Sequence, residues 1–316
     1  MNNQFIMIYS DGPMGSSSLG SLFEKYGYIN LPFRKFRLSE YVMGIRDITD
    51  QSMQNRFLEN INILSEEYKI GGTSVKDRDS RKGEIRTIKP TQEAIKIFLS
   101  FKPKTLQSLL SHCFIFAAKH ITYKEFNIPI RGFIIYELPQ FRIKYKFTQK
   151  EYLKKLIKLE GFTCILMNRN FREWSASLIS QQDYRVKIPI IEGKISLEKL
   201  FLRWKYNQNL TELKDLITID IDSLLLPNTD KINILISKLL KVPLIKKEYL
   251  INQRYDLYGS LMSYKSAFTP SDKSFTNSNF FNKLILKNYI RFPKYIRKIV
   301  NIIFNIIRCM GLFKMY

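Results

Sequence analysis

The sequence predicts an α/β fold: a central parallel sheet flanked by helices in three layers, with a basic helical tail at the C-terminus. Three observations carry that expectation. The apolar run Phe5–Tyr9 passes through a turn, Asp11–Gly15, into a helical pattern over Ser16–Tyr26, with Leu19, Leu22 and Phe23 on one face and Gly27 as the stop. Two further apolar runs, Gly132–Tyr136 and Phe162–Met167, are separated by a basic amphipathic helical pattern over Gln149–Glu160. Strands alternating with helices favour parallel pairing. Beyond Asp272 no acidic residue occurs, while nine basic ones remain, and Ile299–Leu312 is apolar with helical spacing.

The other elements follow in order. Glu40–Lys69 reads as largely helical, and the charged stretch Gly71–Lys89 as an exposed loop. Thr91–Leu99 and Thr105–His120 read as helices, the second apolar enough to be buried. A helix begins close behind Asn170. Leu216–Ile221 reads as a fourth strand and Asp230–Lys241 as the helix after it. Tyr264–Asn282, rich in Ser, Thr, Asn and Phe, reads as a linker. The predicted organisation is therefore an α/β domain over 1–263, a linker over 264–282 and a basic amphipathic tail over 283–316. There is no internal repeat.

With 316 residues, 45% apolar and 25% charged, the chain can bury a core. Its net charge of +23 favours polyanionic partners, although its richness in Asn, Ile and Lys weakens that argument. Cys113, Cys164 and Cys309 cannot build a disulfide framework, which points to a reducing compartment or to no constraint. No secretory leader and no membrane span are expected, and the predicted location is cytoplasmic.

Gly12-Pro13-Met14-Gly15-Ser16-Ser17-Ser18-Leu19 joins a strand to a helix start. Free backbone N–H groups and the helix dipole favour an anion there. Gly12 and Gly15 allow close approach, and Ser16, Ser17 and Ser18 offer hydroxyls. The spacing Gly15-x4-Gly20 resembles a Walker A loop, but positions 21 and 22 are Ser and Leu, so its lysine is missing. An ordinary strand–helix turn with serine caps is the plain alternative. Further on, Arg169 ends the third apolar run and Ser177 lies eight residues later, about two helical turns on. A guanidinium fork and a hydroxyl at that spacing suit a phosphate. Their plain alternative is a solvated surface Arg and a helix-packing Ser.

These two motifs, in this order, resemble the sulfotransferases that use 3′-phosphoadenosine 5′-phosphosulfate. Gly15-Ser16-Ser17-Ser18-Leu19 is similar to the end of that family's first cofactor motif, and Arg169-Asn170…Ser177 to its second. The resemblance implies a P-loop-type three-layer fold of the divergent, bacterial carbohydrate-acting kind. It implies that Gly12–Ser18 binds the 5′-phosphosulfate, and that Arg169 with Ser177 holds the 3′-phosphate. The family carries a cation two positions before the motif glycine, where this chain has Pro13; Arg34, Lys35, Arg37 and the Lys76–Lys89 stretch hold the candidate replacements. The family's strand-end base falls on Glu137 of Tyr136-Glu137-Leu138-Pro139, for which a surface ion pair is the plain alternative.

The function so implied is transfer of a sulfuryl group from 3′-phosphoadenosine 5′-phosphosulfate to a hydroxyl of a carbohydrate or glycolipid, releasing adenosine 3′,5′-bisphosphate. The alternative is a non-enzymatic basic protein that binds nucleic acid or an anionic membrane and keeps a degenerate nucleotide site. No recognition-helix, zinc-finger or aromatic RNA-binding signature favours nucleic acid. The missing Walker lysine argues against a kinase. His112 and His120 are expected in structural or rim positions, no metal is expected, and Trp174 is expected to pack its helix onto the sheet. The tail is expected either to lie on an anionic membrane, on the inner face, or to pack back on the domain.

Overall fold

A computed structural model describes residues 4–10, 19–20, 23–24, 26–31, 37–69, 86–87, 89–122, 131–137, 147–172, 174–175, 197–220, 229–244, 253–255, 261–263 and 288–309. It is an α/β fold with a central parallel sheet flanked by helices. The sheet strands are β1 (Gln4–Tyr9), β2 (Tyr28–Asn30), β5 (Gly132–Glu137), β6 (Phe162–Asn168) and β7 (Ile217–Asp220), side by side in the order β2-β5-β1-β6-β7. Counting only these five, the order is 2-3-1-4-5. The chain divides into two compact units: Met1–Tyr9, Ser16–Ile165 and Asp230–Ala267 in one; Ser10–Gly15, Leu166–Thr229 and Phe268–Tyr316 in the other.

In the first unit β1 pairs in parallel with β5 from Gln4↔Gly132 to Tyr9↔Glu137, and β2 pairs with β5 on its far side. All of Phe5–Tyr9 is fully buried, as a central parallel strand covered on both faces must be. Side chains alternate between faces. Phe5 and Phe133 share one face, where Phe114 of α4 (Leu106–His120) packs 5.9 Å and 5.0 Å from their ring centres. Met7, on the same face, receives the Tyr152 hydroxyl of α5 (Gln149–Leu156) on its sulfur at 3.9 Å. On the other face the backbone of Gly20 lies so close to Tyr136 that a β-carbon there would overlap the phenol oxygen. Gly20, part of the near-Walker spacing, thus serves close packing of helical backbone on the sheet.

The helices start where local chemistry satisfies their free N–H groups. Thr91 caps α3 (Gln92–Ser100) by accepting from Ala94 N, and Thr148 with Glu151 forms a reciprocal capping box on α5. Those hydrogen bonds hold the exposed Glu151 carboxyl below its ordinary range. Gly161, at φ 79°, makes the turn into β6 that a side chain would resist. The long helical expectation over Glu40–Lys69 resolves into α1 (Leu38–Val42) and α2 (Ser52–Lys69), with turns between them. Within the charged stretch expected to be a loop, Arg86–Thr87 (β3) pairs antiparallel with Ile121–Thr122 (β4). A pair this short leaves no alternation to read. Gln253–Tyr255 (β8) and Leu261–Ser263 (β9) form a second small antiparallel pair, and Thr229–Leu240 is helix α7. The expected linker over 264–282 lies outside the described residues.

A carboxylate anchors α1. Glu40 is 2% exposed and meets three guanidinium groups: Arg37 at 3.0 Å, Arg46 at 2.5 Å and Arg56 at 3.5 Å. Its carbonyl also accepts from the N–H groups of Ile45 and Arg46. Arg37 adopts φ 53° at the helix start, and its fork is paired with Glu40. The Cys113 and Cys164 thiols are buried: burial pushes Cys113 well above the ordinary thiol range and Cys164 up to about 12. We expect Glu40→Ala to leave Arg56 without its carboxylate, while the more exposed Arg37 and Arg46 turn to water, and to cost about 1–2 kcal/mol of stability, measured by urea unfolding; a loss no larger than that of a surface substitution would show that water replaces the carboxylate.

Candidate functional site

The candidate site is built where β1 and β6 end. The two strands start level: Phe5 N donates to Gly161 O at 2.7 Å, Gln4 Nε2 donates to Thr163 Oγ1 at 3.1 Å, and Phe5 stacks on Phe162. Running the same way side by side, they release Ser10 and Asn168-Arg169 at the same edge of the sheet. After β1 the chain continues to β2, toward one side of the sheet; after β6 it continues to β7, on the other. Neighbouring strands that diverge in this way mark the switch point of a parallel sheet, the customary place for a ligand outside the carboxyl ends. Ser10 and Arg169 belong to the same compact unit.

Arg169 directly follows β6, as the sequence predicts, but it is not the solvated arginine of the plain alternative: it is 5% exposed. Its backbone is held from α6 (Leu197–Leu210). Trp204 Nε1 donates to the Arg169 carbonyl at 2.9 Å, and Gln208 Nε2 donates to Asn168 Oδ1 at 2.5 Å. The two donors stand four residues apart, on one helix face.

The turn after Arg169 is fixed by aromatic packing. Phe171 and Trp174 are fully buried. Phe171 meets Trp174, Phe201, Trp204 and Tyr289 at centroid distances of 5.6–6.3 Å. Ser175 Oγ donates to Phe171 O at 2.6 Å, and the Trp174 N–H donates to Asn170 O at 3.0 Å, so this segment closes its own helical turn. Trp174 is therefore a packing residue, with the Arg203 guanidinium 6.0 Å from its ring centre.

Glu137 is the last residue of β5 and stands level with Tyr9. Gly12, Gly15, Ser16, Ser17, Ser18 and Ser177 lie outside the described residues, as do Pro13, Arg34, Lys35 and the side chain of Glu137. Arg37 is placed, and Glu40 holds it. His112 is also placed: it stacks on Phe98 and Phe101 at 4.9 Å and 4.0 Å and points Nε2 at the Phe98 carbonyl, 2.9 Å away. A carbonyl only accepts, so Nε2 carries the proton. Burial holds the ring's pKa below its ordinary value, against the raising effect of that hydrogen bond. This is a structural histidine.

Trp204, Gln208 and Tyr289 were not legible as part of the site. The only signal was the spacing of Trp204 and Gln208 on one helix face, which does not say what they bind. No protein-family model matches the chain, and no curated protein matches its sequence. Trp204→Phe keeps a ring against Phe171 and removes the donor to Arg169. We expect it to fold and to lose about 1 kcal/mol in urea unfolding; an unchanged midpoint would show that this hydrogen bond contributes nothing net.

Proposed function

We propose that the chain is a sulfotransferase that moves a sulfuryl group from 3′-phosphoadenosine 5′-phosphosulfate to a hydroxyl of a carbohydrate or glycolipid. The supporting observation is the adjacency of β1 and β6, which brings Ser10, two residues before Gly12 in the chain, and Arg169 to one edge at the switch point of the sheet. The strand order 2-3-1-4-5 supports a P-loop-type assignment for the fold. The buried Arg169 supports a role in holding the 3′-phosphate, because a desolvated guanidinium fork binds a phosphate more strongly than an exposed one.

In this reading Gly12, Gly15, Ser16, Ser17 and Ser18 bind the 5′-phosphosulfate, and Ser177 joins Arg169 on the 3′-phosphate. Glu137 takes the proton of the attacking hydroxyl as the new sulfur–oxygen bond forms. The bond from sulfur to the bridging oxygen breaks, and adenosine 3′,5′-bisphosphate leaves with the electron pair. The missing motif cation at Pro13 falls to a residue other than Arg37, whose charge is engaged by Glu40.

Calorimetric titration with adenosine 3′,5′-bisphosphate, with ATP as control, tests the reading. We expect selective binding, because only the former carries a 3′-phosphate. Arg169→Ala should weaken that binding tenfold or more, on the order of 1.5–3 kcal/mol for a charged hydrogen bond. Equal affinity in a folded variant would remove Arg169 from the site. Glu137→Gln should lower the turnover of sulfuryl transfer while leaving bisphosphate affinity intact; full turnover would assign the base elsewhere. Absence of any binding to folded wild-type protein would favour the non-enzymatic basic reading, which the net charge of +23 also suits.

A further inference from the structure

The tail helix α8 (Lys294–Cys309) presents an arrangement that the nucleotide reading does not explain. It is docked through a mixed side, on which Ile296, Arg297, Val300 and Asn301 are half-buried. Arg297 Nε lies 3.3 Å from Glu198 Oε2 of α6, and the Arg297 guanidinium sits 4.4 Å from the centre of the Phe201 ring. Just before the helix, Tyr289 is fully buried, stacks on Phe171 and donates its hydroxyl to the same Glu198 oxygen at 2.9 Å. Burial and the Glu198 carboxylate both push the Tyr289 phenol well above its ordinary range, so it stays a donor.

An apolar stripe of α8 is left outward. Tyr295, Ile299, Ile302 and Ile303 are 66%, 53%, 60% and 39% exposed. Their spacing places all four on one helix face. A helix that packed only for its own stability would turn this face inward and leave Arg297 in water. Arg291, Lys294 and Lys298 are exposed beside the stripe, and Ile290, 42% exposed, precedes it. No acidic residue follows Asp272, so nothing in this segment offsets those charges.

We propose that this face docks on an anionic lipid surface, with α8 lying in the plane of the interface. Tyr295, Ile299, Ile302 and Ile303 enter the boundary between headgroups and acyl chains, while Arg291, Lys294 and Lys298 meet lipid phosphates from the flank. Charge complementarity selects this occupant: an apolar stripe bordered only by cations suits an anionic bilayer, whereas the same stripe on a second copy would bring like charges together. Among the described residues no helix is long and apolar enough to cross a membrane, which agrees with a helix that lies on the surface. The Glu198–Arg297–Tyr289 anchor fixes which face is offered. The proposal stands independently of the nucleotide site.

The test is co-sedimentation of the full chain with vesicles of phosphatidylcholine and phosphatidylglycerol in a two-to-one ratio, against phosphatidylcholine alone. Wild type should pellet with the anionic vesicles and stay in solution with the neutral ones. Ile299→Ser with Ile302→Ser should reduce the bound fraction at least tenfold, and Lys294→Gln with Lys298→Gln should reduce it and remove its salt dependence. Both pairs are exposed, so thermal unfolding should match wild type. Three results would each overturn the proposal: wild type that does not pellet, equal binding by the serine variant, or a wild-type dimer that this variant converts to a monomer without any vesicle binding.

Discussion

The burial of β1 is the constraint on which the rest of the structure depends. Five consecutive side chains, Phe5–Tyr9, leave water entirely, so both faces of the strand must be covered and both of its edges paired. The pairing with β5 and the level start with β6 meet the second demand. Phe114 and Tyr152 cover one face, while the approach of Gly20 to Tyr136 closes the other. Once β1 is central, whatever follows Tyr9 must leave between two neighbouring strand ends. The position of Ser10 at the same edge of the sheet as Arg169 is thus a consequence of core packing, with no separate interaction needed to arrange it.

In the second unit one carboxylate plays a comparable part. Glu198 takes both the Tyr289 hydroxyl and the Arg297 guanidinium, and the same helix carries Trp204 to the Arg169 carbonyl and Gln208 to the Asn168 side chain. Phe171 touches both sets of residues through its ring. The tail and the strand end therefore share one support: a disturbance of α6 would reach Arg169 and α8 together.

The strands of the central sheet with strong apolar runs were legible in the sequence. Phe5–Tyr9, Gly132–Tyr136 and Phe162–Met167 match β1, β5 and β6 to within a residue at each end, because a strand buried on both faces must be continuously apolar. Leu216–Ile221 was found by the alternation of Ile217 and Ile219 around β7. The three-residue β2 and the two-residue β3 and β4 were not, since pairing partners define them and no local pattern does. Helix α6 was not legible because Leu202 and Tyr206 face water while the polar Asn207 is buried, which blurs its helical pattern. Of the site, the position of Arg169 at a strand end was legible, but its burial was not: that depends on a helix nearly thirty residues away. Pairing of Arg37 with Glu40 was equally hidden, although they stand three residues apart, because nothing local reveals that Glu40 is buried.

Both tryptophans of the chain, Trp174 and Trp204, border Phe171, and neither lies in the first unit. The protein's tryptophan emission therefore comes from a single neighbourhood. One indole sits in a fully buried pocket near a guanidinium; the other is hydrogen-bonded to the carbonyl of Arg169. Excited apart from the tyrosines, the two indoles give a local signal, one that follows the surroundings of Arg169.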